Sequence, residues 1–183
     1  DRLLKEYVKN ERMLNHCYAA EAVMRSLARR LGEDEEKWGI IGLIHDLDYE
    51  MYPDQHCTMT EKILKDEGWP EEYIRAVISH GYGICSDTEP LSLLEKTLFA
   101  IDELTGLVTT SALVRPTRSV LDMEARSVRK KWTDKRFAAG VDRSVIEKGA
   151  SMLGVDLNDL ISDTIMGMRE VAGEIGLKGN PAL

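Results

Sequence analysis

Apolar residues in this chain recur at intervals of three and four, and the long Val- and Thr-rich alternation that a half-buried strand requires is missing. That spacing gathers apolar side chains on one face of a helix, so the expected fold class is all-α. No segment reads as a strand. A chain of 183 residues is long enough to bury most of the apolar surface its unfolded form exposes, so a single domain is expected. We place a helical core at residues 1–115. Pro116 ends a long Leu- and Ala-rich helix, and residues 116–183 are read as a helical extension packing on the same domain.

The stop signals divide the chain into expected helices. Leu3 to Lys9 is short; a second helix carries Leu14, Tyr18, Ala22 and Leu27 and stops at Gly32, with His16 inside it. Glu35 to Leu47 forms a third, with His45 and Asp46 in its last turn. Pro53 opens a fourth that runs to Glu67 and places His56 in its first turn. Pro70 to His80 and Leu91 to Val114 follow, the latter with Asp102 near its middle. The remainder reads as Ser119–Trp132, Asp142–Leu153 and Asp156–Ile175, ending in a frayed tail "LKGNPAL".

Charge narrows the classes of partner. Lys plus Arg number 24 against 32 Asp plus Glu, a net charge of -8, which argues against a nucleic-acid polymer or an anionic membrane as partner. Residues 114–148 run against this trend, with ten basic and five acidic side chains. Three cysteines without CxxC spacing, no signal-like segment and no membrane-length apolar stretch lead us to expect a reducing, cytoplasmic setting. The oligomeric state stays open, with a homodimer among the candidates.

Polar groups able to bind a transition metal fall at helix ends or on otherwise apolar faces: His16, the doublet His45-Asp46, His56, His80 and Asp102. Helical bundles build metal sites this way, from imidazoles and carboxylates on facing helices. A lone His on an apolar face is more often a hydrogen-bonded core residue, and pairing with an Arg is the lesser alternative for Asp102. A buried carboxylate in "LFAIDELTGLV" is nevertheless costly without a cation. Mixed N/O donors suit a divalent Fe, Mn, Co, Ni or Zn. Thiolate ligation by Cys17 or Cys57 is not expected. Each follows a His directly and is rotated by about 100° on a helix.

His16, then "HD" 29 residues later in "GLIHDLD", then Asp102 in "AIDELTGL" resembles the H…HD…D signature of the HD-domain superfamily of metal-dependent phosphohydrolases. The likeness covers about residues 10–113. His56 and His80 resemble the additional histidines of the two-metal branches, which include cyclic-dinucleotide phosphodiesterases and symmetrical dinucleoside tetraphosphatases. Two departures stand out: "HDLDY" lacks the Lys of HDIGK, and "SHGYG" has Gly81 where several binuclear members carry a second consecutive His.

What the resemblance implies is an HD-domain helical bundle in which His16, His45, Asp46 and Asp102 hold a first ion. Asp46 would bridge to a second ion on His56 and His80, and Asp46 and His80 are assigned to catalysis. Hydrolysis of a phosphomonoester or phosphodiester in a small phosphorylated metabolite, with a nucleotide as the leading class, would use a metal-activated water. Asp48, Glu50, Asp54 and Glu103 are candidates for orienting imidazoles or relaying protons. Arg115, Arg118, Arg129, Lys130, Lys131 and Arg136 are read as phosphate-binding cations at the mouth of the site, or else as an ordinary solvated face. Two other functions are weighed, a di-iron oxygenase of the same fold and a nucleotide-binding regulatory module without catalysis.

Overall fold

A computed structural model describes residues 1–180. It is 62% helical, and among the described residues the only bridge outside helices joins Tyr82 and Ser86. The first helix, α1, is Arg2–Tyr7. α2 is Glu11–Leu31; the Asn10 side chain accepts from the backbone N–H of Arg12 and Met13 at its start, and left-handed Gly32 closes it. Asp34 caps α3, Glu35–Ile44, which lies along α2. Six of its ten residues are buried, including Trp38, Ile41, Leu43 and Ile44, so α3 is a central helix enclosed on most sides. It stops one residue before the doublet: His45 is its C-cap, and residues 45–51 form turns.

α4 is Thr58–Asp66, α5 is Glu71–Ile78, and a single 3-10 turn, Ser79–Gly81, follows α5. α6, Leu93–Leu113, opens with a reciprocal cap between Ser92 and Glu95. It crosses the centre of the molecule, touching α2, α8 and α9. α7, α8 and α9 are Ala125–Arg129, Arg143–Leu153 and Leu157–Glu170.

Three further expected helices come out differently. Pro53–Glu67 is split into a 3-10 turn at Pro53–Gln55 and α4. The break falls at His56, which is extended with ψ 144, and at Cys57, which has φ 67. Ser119–Trp132 contracts to α7 because its first half makes other bonds: Ser119 accepts from the Leu121 N–H and Val120 N–H donates to the Leu177 carbonyl. α9 ends at Glu170, beyond which the chain turns back. The tail is not frayed as far as it is described, since Leu177 is buried and Asn180 N–H bonds the Thr117 carbonyl. Residues 181–183 lie outside the described residues.

The helices after Pro116 share one apolar cluster with the earlier ones, Ile146, Ile161, Ile165 and Met168 lying in it with Val23, Leu98 and Leu104. Close docking depends on two glycines. A Cβ at Gly149 would lie 2.5 Å from Ala100 Cα, and one at Gly167 would lie 2.6 Å from Val23 Cα. Backbone atoms cannot yield as a side-chain tip can, so Gly167→Val is expected to lose about 2 kcal/mol or more through overpacking. A lower urea midpoint with an unchanged m-value would show it.

Candidate metal centre

Four side chains, from α2, from α6 and from the turn that follows α3, meet in one group. His16 Nε2 lies 3.0 Å from Asp102 Oδ1 and 3.2 Å from His45 Nε2, while His45 Nε2 lies 3.3 Å from Asp102 Oδ1. Asp46 Oδ2 closes the group at 3.5 Å from His16 and 3.6 Å from His45. The other oxygen of Asp46 faces a second group. Oδ1 is 3.4 Å from both His56 Nε2 and His80 Nε2, which are 3.1 Å from each other.

The ring orientations follow from acceptors on the far side of each imidazole. His45 Nδ1–H donates to the Gly42 carbonyl at 2.7 Å and His80 Nδ1–H to the Val77 carbonyl at 2.5 Å. Each uses the carbonyl three residues back, which a helix leaves free at its C-terminal end. His56 Nδ1–H donates to Asp48 Oδ1 at 2.7 Å, and Asp48 also accepts from the Thr60 N–H at 2.7 Å. His16 Nδ1 lies 3.2 Å from Thr105 Oγ1, whose own proton goes to the Asp102 carbonyl, so this hydroxyl accepts. All four Nε2 lone pairs are thereby aimed inward.

Lone pairs 3.1–3.2 Å apart among carboxylate oxygens repel unless positive charge sits between them. Donor atoms about 2.0–2.2 Å from one ion stand about 3.0–3.6 Å apart, and the distances within the two groups run from 3.0 to 3.6 Å. The donor set therefore fits a divalent ion in the first group, and a second sharing Asp46. Proton affinities point the same way. Burial disfavours charge on His16, but the Asp102 hydrogen bond and the Asp102 and Asp46 charges outweigh it and raise its pKa to about 9. Burial likewise opposes charge on His56, yet the hydrogen bond to Asp48 lifts it to about 10. Against the upward pull of burial, the neighbouring imidazoles hold Asp46 and Asp102 well below the usual carboxylate range. The group draws cations.

A cavity of about 310 Å³ opens over it, walled in part by Met13, Tyr49, Ile84, Glu103 and Val145. Glu103 accepts from the Asp142 N–H at 3.3 Å, and burial, then the Asp102 charge, raise it to about 7. Asp48 is fully buried and orients His56. Glu50 instead accepts from the Lys9 and Asn10 backbone, tying the α1–α2 junction, and exposed Asp54 sits in the 3-10 turn. The basic residues are not brought to the mouth: none of Arg115, Arg118, Arg129, Lys130, Lys131 or Arg136 lines this cavity. Arg115 is engaged by Asp122 and Ser127, Arg129 lies over Trp132 and Lys131 over Phe137. Thr105 was missed by sequence reading, although its place three residues after Asp102 puts it on the same helical face.

Asp48→Asn removes the charge behind His56 and leaves one acceptor oxygen where the carboxylate serves both His56 and the Thr60 N–H. We expect affinity for the ion on His56 and His80 to fall about 10–100-fold, the first ion being retained. Two-site metal titration would check this.

The HD domain family profile matches residues 13–107. That is just over half of the chain. It belongs to the HD domain family. The six donors His16, His45, Asp46, His56, His80 and Asp102 all fall inside the matched span of this HD domain protein. Members of the family are generally metal-dependent hydrolases. No curated protein and no solved structure matches the chain. Among the described residues no helix is long and apolar enough to cross a membrane.

Proposed function

We propose that this HD domain protein is a metal-dependent phosphohydrolase acting on a phosphomonoester, phosphodiester or polyphosphate of a small metabolite, with a nucleotide as the leading class. The observation that supports this most is the sharing of Asp46 between two donor groups at the floor of one cavity. A divalent ion bound there supplies Lewis acidity toward a phosphoryl oxygen and hydroxide near neutral pH. The chain's own part is to fix the donors. Carbonyls of Gly42 and Val77, the Asp48 carboxylate and the Thr105 hydroxyl hold four imidazoles in one tautomer and one orientation. His45, at 0% exposure, cannot turn toward solvent.

The cavity of about 310 Å³ has room for a phosphoryl group. An adjoining cavity of about 520 Å³ shares His16 and Gly106 with it and is lined by Arg12, Asn15, Thr109 and Thr110, giving room for the group that carries the phosphate. The test is a phosphate-release screen under nitrogen across mononucleotides, cyclic nucleotides and dinucleoside polyphosphates, with Fe, Mn, Co, Ni or Zn restored in turn. Turnover of at least one compound with a defined metal is expected. Oxygen consumption with iron and no phosphate release would favour an oxygenase. Tight nucleotide binding without turnover in any metal would favour a regulatory module.

A further inference from the structure

Behind the second donor group lies a pair of cysteines that the hydrolytic reading does not use. Cys57 Sγ and Cys85 Sγ are 2.8 Å apart, closer than two thiols in ordinary contact, although the residues are 28 positions apart in the chain. Three features of the backbone bring them together. Cys57 adopts φ 67 and ψ -45, a left-handed conformation that a residue with a side chain rarely takes and that persists only where its surroundings impose it. Cys85 sits in a tight turn in which the N–H groups of Ile84, Cys85 and Ser86 all converge on the Gly81 carbonyl. Gly81 itself leaves the space: a Cβ at that position would collide with both sulfurs.

We propose that Cys57 and Cys85 are an oxidisable dithiol, a modification site that takes a hydroperoxide as its reactant. Cys85 is the entry point, since it is half-buried and lines the cavity over the donor groups, whereas Cys57 is buried. Attack of Cys85 sulfur on the peroxide O–O bond gives a sulfenic acid and releases water from hydrogen peroxide. Cys57 sulfur then displaces the sulfenic oxygen as a second water, forming the S–S bond. Two thiols lose two protons and two electrons, and one peroxide becomes two waters. Cys17, buried on α2 and facing the core, takes no part.

The bond would join two segments that each carry a donor to the second group. Cys57 follows His56 directly, and the Cys85 turn hangs on Gly81, which follows His80. Oxidation therefore clamps the backbone at His56 and His80 to a single separation. Because the bond closes a long loop of the unfolded chain, the oxidised form is expected to melt about 5 °C higher.

The experiment treats the full chain, metal-loaded, with a small molar excess of hydrogen peroxide and counts free thiols after denaturation. Three titratable thiols should fall to one, the intact mass should drop by two hydrogens, and digestion should yield one peptide pair joined through Cys57 and Cys85. Cys17→Ser should still form the bond, while Cys57→Ser should instead accumulate oxidised Cys85 without a cross-link. Three thiols remaining, a bond to Cys17, or cross-linking between chains would each overturn the proposal. Metal content measured alongside reads the donor groups separately, so loss of metal without a Cys57–Cys85 bond counts against the dithiol and leaves the hydrolase reading intact.

Discussion

Asp46→Ala is expected to lose both bound ions and to reduce turnover about a thousandfold or more, well beyond the 10–100-fold typical of residues that only orient ligands. The reason is geometric. Asp46 Oδ2 faces His16 and His45 while Oδ1 faces His56 and His80, so one substitution removes a donor from each group. Asp102→Ala serves as the comparison, because Asp102 touches His16 and His45 and belongs to the first donor group alone. It should lose the first ion and keep measurable affinity at the second. Helical content should change little in either variant, since the apolar cluster around α2, α3 and α6 is untouched. Metal analysis of the purified variants, with circular dichroism beside it, separates loss of the site from loss of the fold.

Saturating the apo-protein with its metal is expected to raise the melting temperature by about 5–10 °C. An ion at 100 times its Kd stabilises the folded state by about 2.7 kcal/mol, and a chain of this length gains about 2–4 °C per kcal/mol. The unfolded chain cannot compete, because the donors come from positions 16, 45, 46, 56, 80 and 102 and meet only when the helices pack. A chelator should reverse the shift. Asp46→Ala should abolish it at the same metal concentration, which distinguishes binding at these groups from binding at the exposed acidic surface.

The donors were legible in the sequence because a polar residue on an apolar helical face is conspicuous. His16 and Asp102 stand out within α2 and α6, and the doublet directly follows the apolar α3. What fixes their rings was harder to read. Carbonyls carry no sequence signature, so the bonds of His45 to Gly42 and His80 to Val77 follow only from where α3 and α5 stop. The break at His56 was hidden by Pro53, a good helix opener, and by the run after it. Two long-range bonds impose that break: Asp48 accepts from both His56 and the Thr60 backbone, pinning either side of Cys57. The basic run misled for a similar reason. Ten cations between 114 and 148 suggested an anion site, but Arg115 is taken by Asp122, and Arg143 donates to the carbonyls of Ala138, Val141 and Phe137. Such a side chain organises its own loop.

Six donors placed this way should surround cations. Crystals grown with manganese or zinc and measured at the absorption edge of that metal would test it most directly. An anomalous peak is expected within about 2.2 Å of His16 Nε2, His45 Nε2 and carboxylate oxygens of Asp46 and Asp102, with a second peak about 3.5–4 Å away toward His56 and His80. A well-ordered structure at saturating metal with no peak between these residues, and the imidazoles turned apart, would contradict it.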